Sequence, residues 1–146
     1  MSVEELVYRR ALHASRELVW RCLTEPTEIA QYWGQRGMII PLEGIVVELH
    51  AGGRFETLMV CDHGSHRMIA TFTEVLPPER IARVDPASGL HTTETLSDLD
   101  DGSTEVVIHQ RHLPEPMRSP QARAGFLASL DKLEEHLSRL IPEARG

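Results

Sequence analysis

The sequence predicts an α+β domain: a strongly bent antiparallel sheet wrapped around one long C-terminal helix, with two short helices after the first strand. Three observations carry that reading. From Gly44 to His112, six runs alternate with a period of two, separated by short segments of Gly, Pro, Asp and Ser. Ahead of them lie one strand-like run and two brief helical patterns. After Ser119 the apolar residues return at steps of three and four, the spacing of a helix with one greasy face.

The first strand is Leu6–His13, LVYRRALH, with neither face cleanly apolar. Ser15 follows as an N-cap, since its hydroxyl can accept from an orphan helix N–H. Leu18, Val19, Cys22 and Leu23 then give helical spacing. Pro26 suits the first turn of a second helix, with Thr24 or Glu25 as its cap and Gly34 as its C-cap. The strand runs are residues 44–50, 54–61, 66–75, 81–85, 90–99 and 104–112. Their breaks are of hairpin length, which implies antiparallel neighbours. Gly52-Gly53 and Pro77-Pro78 are where the sheet should change direction most sharply, because glycine permits bulges and proline ends ladder pairing. Ser119-Pro120 opens the last helix, whose stripe is Phe126, Leu130, Leu133, Leu137 and Leu140. A helix with one apolar stripe must lay it on something, and the concave face of a bent sheet is available. The tail from Ile141 is expected to fray.

Composition narrows the function classes. A chain of 146 residues with 41% hydrophobic and 25% charged residues is a single domain, with a core over residues 5–141. A net charge of -7 disfavours nucleic acid and anionic membrane as partners. No apolar run reaches the roughly 18 residues of a membrane span. Two cysteines, Cys22 and Cys61, behind an N-terminus without signal-peptide character read as reduced cytoplasmic thiols.

Six stretches recur in order at matching spacing: ASRELVWRCLTEP (Ala14–Pro26), QYWG (Gln31–Gly34), AGGRF (Ala51–Phe55), ATFTEVLPPERI (Ala70–Ile81), DGSTEV (Asp101–Val106) and AGFLASLDKL (Ala124–Leu133). Through them nearly the whole chain resembles the START/polyketide-cyclase (SRPBCC) superfamily. It is most similar to the branch of the C-terminal domain of the activator of heat-shock-protein-90 ATPase. The resemblance implies a helix-grip fold, with a cavity between the C-terminal helix and the sheet. Ala70 stands where that branch usually has glycine and Phe126 where it has tryptophan, which implies a cavity of different shape.

Strand parity sorts the candidate lining. Thr92 and Glu94 share the inward parity of Leu90 and Leu96, while His91, Thr93 and Thr95 form a wet face. Gln110 goes inward with Val106 and Ile108, a parity taken from the family motif. Phe55, Thr57 and Met59 form one set, Met68, Ala70 and Phe72 another, and Arg83 shares the parity of Ile81. Trp33 is placed at a cavity mouth, and Phe126 and Leu130 on the covering helix. If the Pro86–Gly89 turn folds symmetrically, Arg83 and Glu94 come within about one pair of each other. They then form either an ordinary pair at a wet rim, worth little, or a pair that orients a polar ligand group inside the cavity.

Other chemistry finds less support. His63 and His66 flank a turn, His109 and His112 point to opposite faces of one strand, and neither cysteine has a CxxC partner. No metal site and no cofactor are expected. Ser65, Ser88 and Ser103 lie in turns without a nucleophile elbow. A Cys61–His66 dyad across a hairpin competes with Cys61 as a small hydrophobe. Gly52-Gly53 lacks the spacing of a phosphate loop. No catalytic residue is assigned, and the chain is not expected to be an enzyme.

The leading expectation is therefore a domain that binds a hydrophobic or amphipathic small molecule. A co-chaperone-like or stress-response interaction module is the alternative, and a cyclase- or hydrolase-type enzyme ranks third. A homodimer fits a domain of this size, although no exposed apolar stripe marks an interface.

Overall fold

A computed structural model describes residues 4–141; the expected fraying beyond Ile141 lies outside them. Seven antiparallel strands form one sheet in the order β1-β7-β6-β5-β4-β3-β2. β1 (Leu6–Leu12) pairs with β7 (Thr104–Arg111), so the first and last strands meet. The others are β2 (Val46–Val47), β3 (Arg54–Cys61), β4 (Gly64–Leu76), β5 (Arg80–Val84) and β6 (His91–Asp98).

Two of the three α-helix starts follow from a capping side chain. The Ser15 hydroxyl accepts from the Leu18 N–H at 3.1 Å and opens α1 (Arg16–Thr24). The Ser119 hydroxyl accepts from Ala122 N–H at 3.0 Å and opens α3 (Pro120–Leu140). Between them α2 (Pro26–Tyr32) starts at Glu25, whose side chain makes no capping bond, and relies on Pro26 for its first turn. Its C-cap is Trp33 rather than Gly34, which follows with a left-handed φ of +76°.

The run expected as a strand over residues 44–50 is the main correction. Only Val46 and Val47 pair, after a 3-10 turn at Leu42–Gly44. The chain then curls: His50 N–H donates to the Glu48 carbonyl and Gly53 N–H to that of His50. Gly52 N–H bonds to Phe72 O at 2.8 Å, and Phe72 N–H to Gly53 O at 2.9 Å. One residue beyond Phe72, the β4–β5 register shifts in a bulge. The glycine pair and the bulge are thus one feature, a kink shared by neighbouring strands. Pro77-Pro78, joined by a cis bond, turns β4 into β5. A second unexpected 3-10 turn, Glu115–Arg118, leads into α3.

α3 lays its stripe on the sheet as its spacing requires. Leu130, Leu133 and Leu137 are buried against Leu12, Val19, Leu96, Val106 and Ile108, with Phe126 and Leu140 at the edges. Each buried leucine contributes about 1.5–3 kcal/mol of transfer free energy. Ile29, Ile40, Ile45, Phe55, Ala70, Phe72 and Ile81 form a second buried cluster. Trp20 and Trp33 pack against both. Among the described residues, no helix is long and apolar enough to cross a membrane.

Candidate functional site

A cavity of about 300 Å³ lies at the seam between the two clusters. Its buried wall includes Tyr32, Ala70, Val106, Ile108, Leu130 and Leu133. Its more exposed rim includes Gln35, Asp85, Leu90, Met117, Ala122 and Phe126. The mouth therefore opens between the segment after α2, the β5–β6 turn and the start of α3.

Register explains where the polar groups fall. Arg83 on β5 faces Thr92 on β6, and Thr92 faces Gln110 on β7, so the three form one cross-strand row. In the next inward-facing row Glu94 stands between Ile81 and Ile108. Arg83 Nη1 donates to Glu94 Oε1 at 3.2 Å across the diagonal between these rows. Thr92, Glu94 and Gln110 are all buried. The guanidinium carbon of Arg83 also lies 5.1 Å from the Phe55 ring centroid and 5.9 Å from that of Trp33. Those two rings meet edge-on at 5.5 Å. The cation is thus held by a carboxylate and two aromatic faces.

Of the residues singled out in the sequence, Trp33, Met59, Met68, Arg83, Thr92, Glu94, Gln110, Phe126 and Leu130 stand in the cavity wall. Phe55 and Phe72 do not. Both are 2% exposed in the second core cluster, their centroids 5.6 Å apart, and Phe55 supports Arg83 from beneath. Parity assigned them the correct face of the sheet, but depth along that face depends on its curvature.

Several contributors carried no sequence signal. Tyr32 lines the cavity while its hydroxyl donates to Cys22 O at 2.9 Å, and burial holds that phenol protonated well above its ordinary range. Lys132 Nζ reaches the carbonyls of Trp33 at 3.1 Å and Gly34 at 3.2 Å, fastening the lip of the cavity to α3. Desolvation lowers the Lys132 pKa. Opposite that lip, Gly125 leaves room for Gln35; a Cβ there would collide with the Gln35 side chain. A separate cluster gathers Cys22, Glu28 and His136, one from each helix. No local motif could announce a set so dispersed in sequence.

The model of the family described as "Activator of Hsp90 ATPase homolog 1-like protein" matches residues 13–138. The chain belongs to this family. The family is part of the SRPBCC superfamily. Solved relatives have the same architecture. An AHSA1-like protein from Aeromonas hydrophila is 24% identical, with a TM-score of 0.80 and 93% of each chain covered. A protein from Rhodobacter sphaeroides is 21% identical, with a TM-score of 0.83 and 95% of each chain covered. One from Nitrosomonas europaea is 23% identical with a TM-score of 0.81, covering 95% of this chain and 97% of the other. These likenesses establish the helix-grip fold. No curated protein matches the sequence.

Proposed function

We propose that this AHSA1-like domain binds a hydrophobic small molecule carrying one polar group, held between α3 and the sheet. The observation that carries the reading is the Arg83–Glu94 pair, set with Thr92 and Gln110 on one wall of an otherwise largely apolar cavity. Ligand pockets combine this kind of apolar lining with a few placed polar groups, and a volume near 300 Å³ is at the lower end of their range. Domains of this superfamily typically bind hydrophobic ligands, which supports the same reading.

The lining also favours a type of head group. Arg83 is paired with Glu94 and shares the cavity lining with a second carboxylate, Asp85 at the rim, so the site's net field does not favour an anion. A neutral group that both donates and accepts hydrogen bonds, such as a hydroxyl or amide, matches Glu94, Thr92 and Gln110.

A thermal-shift screen of neutral lipophilic metabolites tests the proposal, because a ligand bound only to the native state must raise the Tm. At a concentration 100 times Kd the stabilisation is about 2.7 kcal/mol. Glu94→Ala and Arg83→Ala should reduce the shift for any hit. If no compound shifts the wild type, the proposal loses its basis; if hits ignore both substitutions, the polar wall is not the recognition element.

A further inference from the structure

Tyr32 links the cavity wall to a second group of reactive side chains. Its ring stacks on His136 with centroids 6.3 Å apart, and its hydroxyl holds the Cys22 carbonyl. Cys22 Sγ, a Glu28 carboxylate oxygen and a His136 ring nitrogen all lie within 4.8 Å of one another. Cys22 is wholly buried and His136 is 6% exposed. His136 Nε2 and Glu28 Oε1 already share a hydrogen bond of 2.7 Å. The other Glu28 oxygen is 3.5 Å from Arg21 Nη2.

This set does not suit nucleophilic catalysis. Cys22 takes no part in the cavity wall, and burial pushes its thiol up to about 12, so a substrate would meet neither an accessible nor an ionised sulfur. The donors do suit a borderline-soft cation: thiolate, imidazole and carboxylate are the zinc ligand types, whereas Mg²⁺ and Ca²⁺ prefer oxygen alone. One thiolate and one carboxylate balance the charge of Zn²⁺. Arg21 and Tyr32 provide the outer support that metal ligands usually need.

We propose that Cys22, Glu28 and His136 form a three-residue Zn²⁺ site that ties α1, α2 and α3 together, leaving a fourth coordination position for water. This rests on the helix cluster and is independent of ligand binding in the cavity. Binding releases the Cys22 thiol proton to solvent. The proton of the His136–Glu28 hydrogen bond leaves Nε2 while the neutral ring takes one up on Nδ1, so that two metal bonds replace that hydrogen bond. In tetrahedral geometry those two ligand atoms sit about 3.3 Å apart, so the pair must open by about 0.6 Å.

The test uses the full chain carrying Cys61→Ser, which removes the exposed competing thiol, kept reduced with a phosphine. Titrated with Co²⁺, it should develop a thiolate-to-cobalt charge-transfer band saturating at one equivalent, which one equivalent of Zn²⁺ abolishes. X-ray absorption of the zinc-loaded protein should show one sulfur near 2.3 Å and nitrogen or oxygen ligands near 2.0 Å. His136→Gln and Glu28→Gln should each weaken Zn²⁺ binding at least tenfold. Absence of the cobalt band, a zinc shell without sulfur, or unchanged zinc affinity in both folded variants would each overturn the site. The absorption measurement needs no further variant and decides the question even if His136→Gln fails to fold.

Discussion

Arg83 and Glu94, on adjacent strands, meet at 3.2 Å with side chains only 11% and 8% exposed. A buried pair of this kind is weak evidence for stability, but removing one partner strands the other charge. Glu94→Leu should therefore cost about 3 kcal/mol in urea denaturation. Arg83→Met combined with Glu94→Leu should recover most of that loss. A double variant no more stable than the single would mean that the two groups are not coupled.

At Gly53 a Cβ would collide with the backbone carbonyl of Glu48. Backbone cannot swing aside as a side chain can, so Gly53→Ala should destabilise the fold by more than about 1 kcal/mol. Gly52 has a left-handed φ of +88° with nothing near its Cβ position. Gly52→Asn should cost less, since asparagine tolerates that region. Chemical denaturation of the two variants side by side checks the order.

Thr57 is completely buried, and its hydroxyl has no hydrogen-bond partner among the described residues. An unsatisfied buried hydroxyl costs about 1–3 kcal/mol. Thr57→Val keeps the shape and removes that cost, so the midpoint of denaturation should rise by the equivalent of about 1 kcal/mol.

Cys22 gives the alkaline stability a defined slope. Its thiol is raised from an ordinary 9.0 to about 12, chiefly by burial and then by Glu28. The unfolded thiol ionises first, so the folded state holds more protons between these values. The contribution is complete below pH 9 and is lost as pH rises from 9 towards 12. In chelator, on the Cys61→Ser background, stability should fall by roughly 1 kcal/mol by pH 10. Cys22→Val should remove that part of the slope.

The inward side of Thr92 and Glu94 could be read from the alternation of β6, and the nearness of Arg83 to Glu94 from the Pro86–Gly89 turn. The side of Gln110 came instead from the family resemblance, and the cross-strand row Arg83–Thr92–Gln110 emerges only from the register. Phe55 and Phe72 share the parity of Met59 and Met68, yet they lie beneath the cavity rather than in its wall. Which residues reach the wall depends on the kink where Gly52-Gly53 meets the β4 bulge, and period-two patterning carries no information about it. The same limit applied at residues 44–50, where alternation continued but the chain curled away beyond Glu48, whose N–H still donates to Arg54 O at 2.8 Å. Contacts between helices were the least visible. Lys132 lies off the apolar stripe of α3 yet secures the cavity lip, and Cys22, Glu28 and His136 converge only after three helices pack.

The central claim is that the seam between α3 and the sheet is a ligand site, and Ala70 tests it most directly, because it lines the cavity and has room to grow into it. Titration with a neutral naphthylamine fluorophore should give saturable binding at one site per chain. Ala70→Leu, with an unchanged circular dichroism spectrum, should weaken it at least tenfold. No binding to the wild type, or equal affinity in Ala70→Leu, would contradict the account.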